Sequence, residues 1–229
     1  MKLRIAAKDN TMTCILSRCL RKTWLTSDVL ALLGMRFSRT SYLKQAGWFA
    51  SFRHLMPVDA NRNAVPWYTY SAIEFLAGRI RKDMAVFEYG SGNSTLWWAR
   101  RTAQVISCEH DRKWFQKMKP LMPSNVEYMN VNLEPEGTYS AAILQHRDKF
   151  DVVLIDGRDR IQCATNALPA LKETGIVVWD DAERQQYQKG FDLLTANGFK
   201  RLDFTGIAPM HSSGKSTAIF YRERNCLGL

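Results

Sequence analysis

The run AVFEYGSGNST, residues 85 to 95, constrains the fold more than any other stretch of this 229-residue chain. A β-rich apolar segment runs into a turn spaced by Gly90 and Gly92, and Asn93 to Thr95 then open a helix. Glycines at such a turn let backbone come close to a ligand, and the first amides of a helix favour anionic groups. A Gly-x-Gly pair also occurs as a plain strand-to-helix turn, so the surrounding pattern has to decide.

That pattern is an alternation. Strands are predicted over 85–89, 104–110, 126–131, 151–156, 175–180, 200–207 and 217–223, with helices over 94–103, 111–119, 160–172 and 183–197. Asp111 is a natural N-cap and Gly198 a helix stop. Only the loop from Ala208 to Ser216 joins the last two strands, too short for a parallel crossover, so they should pair antiparallel at the sheet edge. The expected fold is α/β: a doubly wound, seven-stranded, mostly parallel sheet with an antiparallel last strand. Ahead of it, residues 40–56 read as an amphipathic helix ended by Pro57, 58–68 as a loop and 70–80 as a helix packing on the sheet. The expected organisation is a basic helical N-terminal extension, 1–65, serving as lid, dimer or partner contact, followed by a ligand-binding domain, 66–229.

Charge supports that division. Residues 1–65 hold 11 Lys/Arg and 3 Asp/Glu, a net +8 of the chain's +10, and the remainder is nearly neutral. The extension could meet an anionic partner such as nucleic acid, a phosphorylated glycan carrier or a membrane surface, or be a solvated helical face. With 46% hydrophobic and 24% charged residues and a mean hydropathy of -0.29, the composition is that of a soluble globular protein. No apolar run approaches the roughly 20 residues of a transmembrane span. The first 25 residues lack the apolar core of a secretory signal but are basic and acid-poor enough to leave a transit peptide open. Cys14, Cys19, Cys108, Cys163 and Cys226 are scattered without a Cys-x-x-Cys pair, which predicts reduced thiols and a cytoplasmic location.

Glu109 ends the second predicted strand, 19 residues beyond Gly90. In a doubly wound sheet an acid there faces the ribose of a bound nucleoside. Dinucleotides and S-adenosylmethionine (SAM) share this geometry, and Glu88 separates them: a carboxylate beside the turn repels a pyrophosphate but suits an ammonium and a sulfonium. Counted from Gly90, the third glycine of the dinucleotide fingerprint is missing: Ser94 and Thr95 follow Asn93.

Taken together, VFEYGSGNST, VISCEHD, FDVVLIDG and GIVVWDD resemble the class I SAM-dependent methyltransferases over residues 66 to 223. The resemblance implies a Rossmann-like methyltransferase fold with SAM as cofactor. Glu88, Gly90 and Gly92 would line the methionine moiety, Glu109 would hold the ribose, and His110 would lie near the adenine. Tyr89, Ser91, Asn93, Ser94 and Asp156 complete the expected cofactor set. Asn130 or Asn132 stands where the family often carries an acid toward the adenine amino group.

Asp156, Asp180 and Asp181 end the fourth and fifth strands, whose C-termini open onto one crevice. Three carboxylates there could hold Mg²⁺ or another divalent cation, as in the metal-dependent sugar O-methyltransferases that this pattern also resembles. Alternatively, Asp156 would only touch SAM, and Asp180 and Asp181 would pair with Arg158, Arg160 or Arg184. Arg158 and Arg160 could instead recognise a carboxylate or phosphate of the substrate. Asp156, Asp180 and His211 are the catalytic candidates, His211 as a general base from the loop before the last strand. SSGKST, 212–217, fails as a phosphate loop because no helix follows it. Trp48, Phe49, Trp67, Tyr68 and Tyr70 are either core or a roof over the crevice. The expected activity is O-methylation of a small-molecule or glycan hydroxyl. The alternatives are RNA or other nucleic-acid methylation, and a non-catalytic nucleotide-binding module or NAD-linked oxidoreductase.

Overall fold

The computed structural model describes residues 26–134 and 137–229. The reading of residues 1–25, including Cys14 and Cys19, lies outside them; Cys108, Cys163 and Cys226 are free and buried. Helix α1 covers 26–37 and is followed by α2 (Tyr42–Gln45), α3 (Trp48–His54) and α4 (Tyr70–Ala77). The sheet domain then runs β1 (Ala85–Tyr89), α5 (Asn93–Ala99), β2 (Gln104–Glu109), α6 (Arg112–Met118), β3 (Val126–Asn130), α7 (Thr138–Ala141), β4 (Phe150–Ile155) and α8 (Arg160–Ala167). It closes with β5 (Leu171–Trp179), α9 (Gln188–Ala196), β6 (Lys200–Gly206) and β7 (Lys215–Tyr221).

The seven strands lie in the order β3-β2-β1-β4-β5-β7-β6. The first five pair in parallel, and β7 runs antiparallel to both β5 and β6. The chain enters at β1, builds outward to β3, then returns to lay β4 on the other side of β1. This reversal opens a crevice at the C-terminal ends of β1 and β4, where α/β sheets bind ligands.

Central strands of such a sheet are covered on both faces, so their sequences are apolar throughout. Phe87, Tyr89, Val153, Ile155, Val177 and Trp179 pack on the α8–α9 side. The alternate residues Val86, Val152, Leu154, Ile176 and Val178 meet Tyr68, Leu76, Trp97 and Trp98 on the other. Each fully buried side chain of this size contributes about 1.5–3 kcal/mol.

Two helices depart from expectation. The helix anticipated over 40–56 is broken into α2 and α3 at Gly47, whose φ is +90° and where a Cβ would lie 2.3 Å from the Val58 carbonyl oxygen. The helix anticipated over 160–172 stops at Ala167 because Leu171 already pairs with Phe150 as the start of β5. Asp111 caps α6 as anticipated, accepting from the amides of Lys113 and Trp114 at 2.8 and 3.0 Å.

Candidate active site

At the end of β1 the chain turns at Gly90, with φ +96° and with Gly157 nitrogen only 3.2 Å from where a Cβ would stand. Only glycine lets this turn press against the strand end of β4. Ser91 is then held from three sides. Its hydroxyl donates to Glu109 Oε2 at 2.7 Å and lies 2.7 Å from the Tyr128 hydroxyl, while its carbonyl accepts from Trp114 Nε1 at 2.9 Å. Asn93 Nδ2 donates to the Pro57 carbonyl at 2.5 Å, tying the turn to the segment after α3. A cavity of about 110 Å³ opens over this turn, walled by Ser91, Gly92, Asn93, Ser94, Trp114 and Asp156 on one side and by Met56, Pro57 and Trp67 on the other.

Glu88 lies beneath the turn rather than on it. It is 1% exposed, and its two oxygens accept from Ser94 Oγ and Thr95 Oγ1, each at 2.5 Å. Burial pushes its carboxyl up to about 7, against the opposing pull of the hydroxyls of Ser94, Thr95 and Ser107. Its visible work is to clamp the first turn of α5 to β1. Tyr89 contributes backbone alone, since its hydroxyl donates to the Ser140 carbonyl at 2.7 Å inside the core. Glu109 Oε1 accepts from the Asp111 amide at 2.9 Å and stands 3.0 Å from His110 Nδ1. Asn130 Nδ2 is taken by the Glu109 carbonyl at 2.8 Å, and Asn132 is exposed.

Tyr139 was not anticipated. Its hydroxyl is buried without a hydrogen-bond partner among the described residues. It sits so close to Gly157 that a Cβ on that glycine would be 2.0 Å away. An orphaned hydroxyl beside this turn suits a ligand that brings its own acceptor, and with the glycine cradle and the fixed acid Glu109 it makes the residues present a fit for SAM.

The second half of the site is a web of charge. Lys215, the first residue of β7, places Nζ 2.5 Å from Asp180 Oδ2 and 3.3 Å from Asp181 Oδ1. It also donates to the Trp67 carbonyl at 2.8 Å. Thr217 Oγ1 donates to Asp180 Oδ1 at 3.0 Å and accepts from the Thr69 amide at 3.1 Å. Arg160 NH2 reaches Asp156 at 3.3 Å and Asp181 at 3.2 Å, and Arg184 reaches Asp181 at 3.0 Å. None of these ion pairs involves Arg158, which is exposed.

The three aspartates therefore converge as anticipated, but their partners are an ammonium and two guanidiniums. Among the described residues no group of three His, Cys, Asp or Glu side chains is arranged to hold a metal ion. The donor set does not fit Mg²⁺, because Lys215 Nζ stands between the oxygens that would be ligands. Lys215 escaped the sequence reading, which ran the loop to Ser216 and began the last strand at Thr217. In the structure β7 begins two residues earlier and is buried from Lys215 to Phe220.

The web splits the acids. Burial, then the nearby Asp156 charge, pushes Asp180 up to about 8 despite Lys215. Burial also raises Asp156, with Arg160 and Lys215 opposing. At Asp181 burial is outweighed by Lys215, Arg160 and Arg184, which hold it below the usual carboxylate range. Asp156 keeps its side chain 23% exposed, against 1% for Asp180. A second cavity of about 210 Å³ lies over the web, lined by Asp156, Asp180, Asp181, Lys215, Arg184, Trp67 and His211. Asp156 and Trp67 thus border both cavities.

His211 faces this second cavity, its ring 5.7 Å from that of Trp67. Trp48 fixes its loop by donating to the His211 carbonyl at 2.8 Å. The aromatic set divides accordingly: Trp67 borders the site, Trp48 positions it, Phe49 packs on Trp48, and Tyr68 and Tyr70 are core.

Residues 87–182 match the sequence profile of a methyltransferase domain. No curated protein sequence matches the chain. Among solved structures, a precorrin-6y C5,15-methyltransferase from Geobacter metallireducens is 13% identical, with a TM-score of 0.53 over 74% of this chain and 97% of that one. An rRNA methylase from Streptococcus thermophilus is 14% identical, with a TM-score of 0.51 over 69% and 99%. A methyltransferase-like protein from Silicibacter pomeroyi is 20% identical, with a TM-score of 0.51 over 70% and 90%. These likenesses establish a shared fold.

Proposed function

We propose that this chain, whose residues 87–182 match a methyltransferase domain, is a class I SAM-dependent methyltransferase that passes the methyl group to a hydroxyl of a small molecule or glycan. The carrying observation is that the cavity over the glycine turn and the cavity over the charge web meet at Asp156 and Trp67. Two ligands placed in them would touch at one carboxylate.

SAM supplies an electrophilic methyl group on a sulfonium. In this reading Ser91 to Ser94 and Glu109 hold it, with the Tyr139 hydroxyl as a further donor. The Trp67 ring, 40% exposed, offers an apolar face to the acceptor. Asp156 receives the acceptor's proton: it is the most accessible of the three acids, and burial raises its carboxyl above the usual carboxylate value. Asp180 and Lys215 keep the crevice rigid and nearly neutral, which leaves catalysis to positioning and proton removal.

The test is transfer of labelled methyl from SAM to a panel of glycans, small diols and RNA, using the parent chain, Asp156→Asn and His211→Asn. Asp156→Asn should lower turnover by about 10²- to 10⁴-fold with SAM affinity nearly unchanged. His211→Asn should act mainly on acceptor KM. Labelling of RNA without the small hydroxyl acceptors would refute the substrate class, and an unchanged Asp156→Asn rate would refute the base.

A further inference from the structure

Between Asp28 and Arg36, helix α1 is apolar on every side, yet it is almost entirely uncovered. Every one of its residues except Arg36 is exposed. Val29, Leu30, Leu32, Leu33, Met35 and Phe37 are 45 to 68% exposed within nine consecutive positions. A helix apolar on all sides is normally buried in a core or a membrane. At 12 residues it is about 18 Å long, well short of the roughly 30 Å hydrocarbon thickness, and no described helix is long and apolar enough to cross a membrane.

The charge around it selects the occupant. Residues 1–65 carry the net +8, with Arg18, Arg21 and Lys22 before α1 and Arg39 and Lys44 after it, while Asp28 is the single acid between Asp9 and Asp59. A second copy of this chain would bring two such basic segments together. An anionic bilayer would receive both the apolar side chains and the cations, and peripheral attachment needs two such signals acting together.

We propose that α1 and its basic flanks dock this protein peripherally on an anionic phospholipid surface, with the helix lying in the headgroup region. The attachment is linked to the crevice: the Arg36 guanidinium stacks on both Phe37 and Phe49, each at 5.3 Å, and Trp48 beside Phe49 holds the His211 loop. This proposal stands apart from the choice of methyl acceptor.

Flotation of the full chain with vesicles tests it. The parent should float with vesicles of equal parts phosphatidylglycerol and phosphatidylcholine, stay behind with phosphatidylcholine alone, and be released by high salt. Leu30→Glu/Leu33→Glu, at exposed positions, should lower the bound-to-free ratio by about tenfold or more, while SAM titration confirms that the variant is folded. No flotation of the parent, or equal flotation of parent and variant, would overturn the proposal. So would a parent dimer that the variant dissociates while neither form binds vesicles, since α1 would then belong to a second copy.

Discussion

Replacing Lys215 by Met tests the charge web most directly. The ammonium is 5% exposed and stands 2.5 and 3.3 Å from two carboxylates. At an effective dielectric of about 20 these contacts correspond to attractions of about 7 and 5 kcal/mol when both carboxylates are ionised, which for Asp180 means above about 8. Several kcal/mol of desolvation per ion offset most of that, so the measurable quantity is the cost of leaving the acids without their partner, about 3–5 kcal/mol. For a domain of this size the melting temperature should fall by about 6–20 °C. The loss should grow with pH in two steps. As pH rises through the usual carboxylate range, Asp181 ionises without the cation that holds its carboxyl down. Above about 8 the parent Asp180 would ionise beside Lys215, whereas in the variant it has no ammonium to meet. Thermal unfolding of the parent, Lys215→Met and Lys215→Met/Asp180→Asn across pH measures this, and the double variant should recover most of the loss. A single-variant loss below about 1 kcal/mol, the range of an exposed pair, would refute the reasoning. Restoration of Lys215→Met by Mg²⁺ would show that the aspartates accept a metal once the ammonium is gone.

Glu88→Gln should flatten the pH dependence of stability between about 4.5 and 7. In that window the native carboxyl keeps a proton that the unfolded chain has released, so the parent loses stability as pH rises. Denaturant unfolding at several pH values measures the slope, and an unchanged slope would mean that Glu88 titrates normally. Tyr139→Phe removes a hydroxyl with no partner among the described residues. Stability should hold or rise by up to about 1 kcal/mol while SAM affinity falls about tenfold by calorimetry; unchanged affinity would leave the hydroxyl without a ligand role.

Much of the sheet was legible in the sequence because parallel strands covered on both faces have to be apolar at every position, as VVLI and IVVW are. The turn was legible because Gly90 and Gly92 mark backbone that must come close to something. What escaped depends on contacts between distant residues. Gly47 breaks its helix because of the Val58 carbonyl, and LKET reads as helix until Leu171 finds Phe150. Glu88 has the right chemistry for a cationic ligand, but Ser94 and Thr95 claim both of its oxygens. Local sequence cannot reveal which neighbour takes a carboxylate. The same limit made the aspartates look like a metal site, since the cation between them arrives from β7.

The position of β7 also bears on how the chain is made. Thr217, which with Lys215 secures Asp180, lies 37 residues beyond it. At ordinary elongation rates the ribosome needs about 2–7 s to cover that distance. Throughout that interval the nascent chain carries Asp180 and Asp181 at the end of β5 without Lys215, and β6 emerges before the strand that must sit between it and β5. The sheet cannot close outward in order of synthesis; β7 has to enter between β5 and β6, and Asp180 gains its ammonium only when it does. An interruption of translation inside this window would release a product in which Asp180 lacks its ammonium at an open sheet edge, while Asp181 still has Arg160 and Arg184.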